Sequence, residues 1–365
     1  MIRRFFASLA LAAFGAASTA PLHAAPQAAK ELVIADNDYL GPGGSNIQSV
    51  IPLLNNPHVT LLGITVVAGD DWENAESARI RRFLEISGHR DIPVYDGATQ
   101  PLINTVALTR LREQQFGTLP WKGAWGGMGS MAHTPDSQPD VPASPDGAPT
   151  IRPQGIPAAL FLIQQVHAHP HQVTIIEGGP MTNLALAIRL DPSFAATAKQ
   201  LVFMGGYLDL SMTSVTGNAD NASDFNLIFD PEAAHITLSA PWPKITSVAN
   251  VSNDVTLSKQ DVAGIGKGHE TPVTHYLTRY YVPLAMWDEV TSAVAVDPSL
   301  ITRSTEAYMD VETGKGLFYG HARVWPESLA PRTMGLRKVR IVQAIDVARF
   351  KKDYIAQARD LMGKH

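Results

Sequence analysis

The chain has 365 residues, 45% hydrophobic and 17% charged, with 34 acidic against 29 basic side chains and no cysteine. This excludes disorder, which needs low hydrophobicity and high net charge, and it removes disulfides, thiolate nucleophiles, zinc ribbons and iron–sulfur clusters. A net charge of −5 supplies no basic surface on which nucleic acid phosphates would bind.

The first segment reads as a targeting signal and is set apart from the fold. Met1-Ile2-Arg3-Arg4 is a short basic start, and an alanine-rich apolar run follows from Phe5 to about Ala20. Leu22-His23-Ala24-Ala25 then offers small residues for cleavage near Ala24. This is the layout of a secretory signal, and its apolar part is short for a membrane span. The expectation is a signal peptide over residues 1–24 and an exported protein, periplasmic or secreted. No later segment reaches ~18 uninterrupted apolar residues, so no membrane association is expected after cleavage.

Alternating strands and helices fill the rest. Glu31–Ala35 is a short apolar run ending at Asp36, as a buried parallel strand would be, and Val59–Val67 is a second, ending in Gly69-Asp70-Asp71. A helical pattern spans Glu73–Ile86, followed by Ile92–Tyr95. Next come a helix over Pro157–His169, a strand over Val173–Glu177 and a helix over Asn183–Leu190. The strand Leu201–Met204 ends in Gly205-Gly206, and Pro231–Ser239 is a further helix. This βαβ succession predicts one α/β domain over residues 31–362, with a mainly parallel central sheet flanked by helices on both faces. Residues 126–154, rich in Gly, Pro, Ser and Asp, read as a long mobile loop within it.

In such sheets ligands bind beyond the carboxyl ends of the strands. The polar residues there are Asp36 and Asp38, Asp70 and Asp71, Thr182 and Asn183, then Asn218, Asp224 and Asn226. No histidine cluster at metal spacing and no phosphate-cradling glycine loop accompanies them. This oxygen-rich set suits a hard cation such as calcium together with a polyhydroxy ligand.

Several of these segments carry a resemblance. Ile34-Ala-Asp36-Asn-Asp38, Leu62-Gly-Ile-Thr65, Ile92-Pro-Val-Tyr-Asp-Gly97, Gly179-Pro-Met-Thr182-Asn-Leu-Ala and Ser223-Asp224-Phe-Asn226 occur in order. Together they resemble the inosine–uridine-preferring nucleoside hydrolases. Leu119-Pro-Trp121-Lys-Gly123, Met204-Gly-Gly-Tyr207 and Trp287-Asp288 are most similar to a secreted fungal and bacterial branch. The resemblance implies a nucleoside hydrolase-like fold, a nucleoside substrate, calcium, a role in nucleoside salvage and a homo-oligomer.

Cleaving an N-glycosidic bond passes through an oxocarbenium-like sugar, so the site must fix the ribose, position a water and help the base leave. Carboxylate-held calcium can grip the ribose hydroxyls and a water together, and a nearby carboxylate can take the proton. By resemblance Asp38 is a calcium ligand and the base, with Asp36 beside it as ligand or support. Thr182 gives its backbone carbonyl, and Asp288 is the late calcium-binding aspartate. Asn218, Asp224 and Asn226 match the ribose-binding set, whose middle position is usually glutamate.

Two features depart from the family pattern. An adjacent aspartate pair normally follows the first aspartates; here the loop reads Gly41-Pro-Gly-Gly-Ser45-Asn46. Asn46 can donate a carbonyl oxygen to the ion but lacks the charge, and affinity follows ligand charge. Asp70 and Asp71 occupy a position that is usually asparagine, beside the substrate, and either is a candidate to return the charge. Trp287 stands where many members place a histidine that protonates the leaving base. An indole cannot do that, but it can stack on a base, as can Trp121 and Trp125; the equal alternative is that all three are core or lid aromatics. The alternatives are a catalytically impaired binding protein on this scaffold, or a periplasmic solute-binding receptor with two similar lobes.

Overall fold

The computed structural model describes residues 30–208 and 223–361. The expected signal peptide and Asn218 lie outside these described residues. One nine-stranded sheet organises the chain: β1 (Glu31–Asn37), β2 (Val59–Val66), β3 (Val94–Tyr95), β4 (Val173–Glu177), β5 (Gln200–Met204), β6 (Ile245–Val248), β7 (Ile301–Val311), β8 (Ala322–Trp325) and β9 (Arg337–Ile345). Their order is β3-β2-β1-β4-β5-β6-β9-β7-β8. Neighbours from β3 through β6 to β9 are parallel, whereas β7 runs antiparallel to both β8 and β9. With a single sheet, the described residues hold no second lobe of the kind a two-lobed receptor needs.

Strand periodicity explains why both faces are covered. Val33 and Ala35 of β1 pack into one cluster with Ile80 and Phe83 of the helix Glu73–Ile86 and with Val290 of the helix Trp287–Val296. Ile34, between them in sequence, packs into the opposite cluster with Phe161 of the helix Ala158–Ala168 and Leu184 of the helix Thr182–Leu190. Successive side chains of a strand point to opposite faces, so an unbroken apolar run requires two helical layers. Each fully buried aliphatic or aromatic side chain adds ~1.5–3 kcal/mol.

The helices over Glu73–Ile86 and Pro231–Ser239 have the predicted limits. The second starts as its sequence dictates: Asp230 accepts the Ala233 amide and Pro231 stands in the first turn. The sequence reading assigns no element after Ser239. There the structure adds β6 to β9 and four helices of eight or more residues, Lys259–Gly266, Pro272–Arg279, Trp287–Val296 and Val347–Asp360. Residues 126–154 hold no helix or strand. They are nonetheless fastened to neighbouring helices: Asn74 donates to the Pro139 carbonyl (2.6 Å), Arg82 to that of Asp146 (2.8 Å), and Glu85 accepts the Thr150 and Ile151 amides (2.7 and 2.8 Å).

Candidate active site

The site forms where β1 and β4 lie side by side, the point at which the strand order reverses and such sheets open a crevice. Asp36, near the end of β1, stands in register with Glu177 of β4 on one side and Thr65 of β2 on the other. All three are buried. Asn183 donates from Nδ2 to Asp36 Oδ1 and to the Val66 carbonyl, and accepts the Ala98 amide, each at 2.9 Å. One side chain thereby joins β1, β2 and the loop after β3. At the start of the helix Thr182–Leu190, Met181 holds the cap position without a side-chain bond. The Thr182 hydroxyl donates instead to Asp230 Oδ2, at 2.7 Å. Burial pushes the Asp36 pKa up to about 6, against the pull of Asn183, Thr65 and Glu177. Burial, then the charge of Asp36, raises that of Glu177 well above the usual range. Asp36 Oδ2 and Glu177 Oε2 are buried without a hydrogen-bond partner, so burial and mutual repulsion favour a protonated form within this pair.

Above this floor stands Asp38, with no exposed surface. Its Oδ1 accepts from Asn46 Nδ2 and its Oδ2 from the Asp70 amide, both at 2.8 Å. Burial and then the charges of Asp70 and Asp288 raise its pKa well above the carboxylate range. Asp70 is pushed to about 6 by burial, opposed by hydrogen bonds from Trp121 and Asn46. Asp288, in the first turn of the helix Trp287–Val296, is raised by burial and then by Glu289 and Asp70. Ser45 fixes that helix to the Gly41–Asn46 loop: its hydroxyl donates to Glu289 Oε2 (2.6 Å) and accepts the Asp288 amide (2.8 Å). Sequence separation hides this contact, since Ser45 and Glu289 lie 244 residues apart.

The structure distinguishes the three tryptophans. Trp125 is fully buried in a cluster with Trp72, Val106, Met131 and Phe229, so of its two readings, base-stacking ring or core aromatic, the structure gives the second. Trp121 is half-buried, with its indole donating to Asp70 Oδ1 at 2.5 Å. Trp287 is half-buried and donates to Asn253 Oδ1 at 2.6 Å. Two of the expected ribose-binding residues lie within the described chain. Asp224 caps the helix Phe225–Phe229 by accepting the Leu227 amide, accepts the Gly206 amide as well, and has its pKa raised to about 6 by burial. Its charge reaches Asp288. Asn226 donates to the Gly178 carbonyl at 2.7 Å, which joins this helix to the end of β4.

The donor set suits a hard cation. Asp36, Asp38, Asn46, Asp70 and Asp288 all offer side-chain oxygen, and Asp288 Oδ1 is buried without a hydrogen-bond partner. Asp71 is paired with Arg79, whereas among the described residues no ion pair reaches Asp36, Asp38, Asp70 or Asp288. Also among the described residues, no three acidic, imidazole or thiol side chains already stand in ion-holding positions. The Asn46 amide group lies between Asp38 and Asp70 instead.

Residues 33–352 match the family model described as inosine-uridine preferring nucleoside hydrolase. The chain belongs to that family. An uncharacterized Schizosaccharomyces pombe protein is 32% identical over 90% of this chain and 85% of its own length. A probable uridine nucleosidase of Arabidopsis thaliana is 29% identical over 82% of this chain and 89% of its own. Among solved structures, the purine-preferring ribonucleoside hydrolase from Gardnerella vaginalis superposes with a TM-score of 0.69 at 20% identity, covering 91% of this chain and 99% of that one. The expected fold is therefore observed, and the nucleoside hydrolase carries its acids at the carboxyl ends of its parallel strands. Sequence reasoning missed Glu177, Ser45 and the structural task of Asn183. A charge ending an otherwise apolar strand was the available signal for Glu177.

Proposed function

We propose that this hydrolase frees base and ribose from ribonucleosides by water attack on the anomeric carbon, with Asp38 accepting the water's proton and calcium as cofactor. The observation that carries the reading is the setting of Asp38: buried, held at both oxygens, and facing the charges of Asp70 and Asp288. A base works best when its pKa is drawn toward the operating pH and its orientation is fixed in advance. Burial and neighbouring charges raise the Asp38 pKa in that direction, and both its oxygens are held. The family is generally calcium-dependent, and Asp38, Asp288, the Thr182 carbonyl and the Asn46 amide oxygen would hold the ion. When bound, it would polarise the water and grip the vicinal ribose hydroxyls.

The remaining residues orient and support. Asp36 keeps the end of β1 in place through Asn183, which assigns it to support. Asp224 and Asn226 face the ribose, with Asn218 as the third member of that set. Trp287 provides a ring for the base; its N–H is committed to Asn253 and it gives no proton to the leaving group. The basic and apolar start of the chain supports export, as does its likeness to the secreted branch. The test is base release from inosine, uridine and adenosine, with and without chelator. Release abolished by chelator and restored by Ca2+ is expected. Ligand binding without release across the panel would make the protein a binding module on this scaffold.

A further inference from the structure

The corner after β2 carries two adjacent acids that the fold uses in opposite ways. Asp71 is fully engaged: one oxygen pairs with Arg79 (2.5 Å) and the other accepts the Trp72 amide (2.8 Å). Asp70 is turned toward β1. Its amide donates to Asp38 Oδ2 (2.8 Å), its Oδ1 accepts the Trp121 indole (2.5 Å), and its Oδ2 lies 3.4 Å from Asn46 Nδ2. The same Asn46 nitrogen donates more closely to Asp38 Oδ1, at 2.8 Å. A single amide group therefore bridges two carboxylates brought together from β1 and β2. Nearby, Asp288 Oδ1 is buried and unpartnered.

We propose that Asp70 is a ligand of the cation site, the third carboxylate beside Asp38 and Asp288, with Trp121 setting its orientation. This deepens the calcium reading above and rests on it. The indole occupies Oδ1, so Oδ2 is the oxygen that would be left to hold an ion. Turning the Asn46 amide about its terminal bond replaces its nitrogen by its oxygen between Asp38 and Asp70, and the donor that closes the cluster becomes an acceptor for the cation. Three carboxylates give the site the charge on which affinity depends, and the indole hydrogen bond holds the ligand in place as outer-shell partners do. Asp71 takes no part, because Arg79 already neutralises it.

Calorimetric titration of Ca2+ into chelator-treated protein tests this, with thermal melts of the metal-free forms alongside. Asp70→Asn keeps size and shape, so it is expected to weaken Ca2+ by about tenfold or more and to melt no lower than wild type without metal. Combining it with Asn46→Asp moves the charge one hydrogen bond along and is expected to recover most of the lost affinity. Wild-type affinity in Asp70→Asn would overturn the assignment. So would a lower metal-free melting temperature, which would make Asp70 a structural acceptor. If wild type itself takes up no Ca2+, the calcium reading fails first, and the titration shows that separately.

Discussion

The parallel and antiparallel parts of the sheet handle charge in opposite ways. At the carboxyl ends of the parallel strands Asp36, Asp38 and Glu177 are buried, and Asp288 joins them from the first turn of the helix Trp287–Val296, all at most 2% exposed. No ion pair reaches them among the described residues. On β7 and β9 most charged side chains reach solvent, Asp310 being the buried one, and Lys338 lies 3.5 Å from Glu306 and 3.3 Å from Glu327. Buried acids without a cation cost stability, because desolvation disfavours their charged form. Such acids are retained where something other than folding uses them. The comparison therefore singles out the parallel side as the place to test for function, on burial alone.

The strongest way to break that comparison is Asp38→Asn. The substitution keeps the shape and removes the proton acceptor, so kcat is expected to fall by about 10²–10⁴-fold. The metal-free protein should melt no lower than wild type, because a buried charge facing Asp70 and Asp288 has been removed. Steady-state base release and a thermal melt measure both. A variant keeping more than a small fraction of wild-type kcat would move the base elsewhere.

A smaller effect should appear in the pH dependence of stability. Asp36, Asp70 and Asp224 are each raised from 3.8 to about 6. The folded protein therefore holds protons that the unfolded chain releases, and stability falls with pH wherever the folded state binds more protons. The contribution is complete below 3.8 and is lost as pH rises through about 6. Each pKa unit corresponds to about 1.4 kcal/mol, so the metal-free protein should lose a few kcal/mol between mildly acidic and neutral pH. Ca2+ should flatten this slope by holding the carboxylates ionised. Melts at both pH values, in chelator and in Ca2+, test it; a metal-free melting temperature that rises toward neutral pH would contradict the buried-acid account.

The sequence made parts of this arrangement legible and hid others for physical reasons. Asp36 and Asp38 were readable because a polar residue ending an apolar run marks the carboxyl end of a buried strand. The Asp70–Trp121 bond was not, since it spans 51 residues and depends on how one loop docks. That docking needs Gly123, whose φ is +53° and where an added Cβ would lie 2.1 Å from the Gly69 carbonyl oxygen. Trp125 stayed open between a core and a base-stacking role because its neighbours Trp121 and Gly123 face the Asp70 corner while it turns into a separate cluster. The antiparallel strands gave little signal: β7 mixes buried and exposed positions irregularly and lacks clean alternation. The parallel half was readable because both its faces are covered, and that same burial makes its acids candidates for function.

The weakest expected effect sharpens the comparison from the other side. Lys338 is bracketed by Glu306 and Glu327, whose side chains are 65% and 74% exposed. Charges in that setting are screened by water and salt, and ordering long side chains offsets most of their attraction. Lys338→Ala should therefore leave kcat at the wild-type value and the melting temperature unchanged within error, at low and high ionic strength alike. The strands that carry this residue do reach the site's framework, since β9 pairs with β6, so backbone continuity alone would permit an effect. Its absence would show that the field at Asp38 is set by the buried acids of β1, β2 and the helix Trp287–Val296. A loss of activity approaching that of Asp38→Asn would mean that the antiparallel side contributes to the site electrostatically, and the separation argued from burial would have to be abandoned.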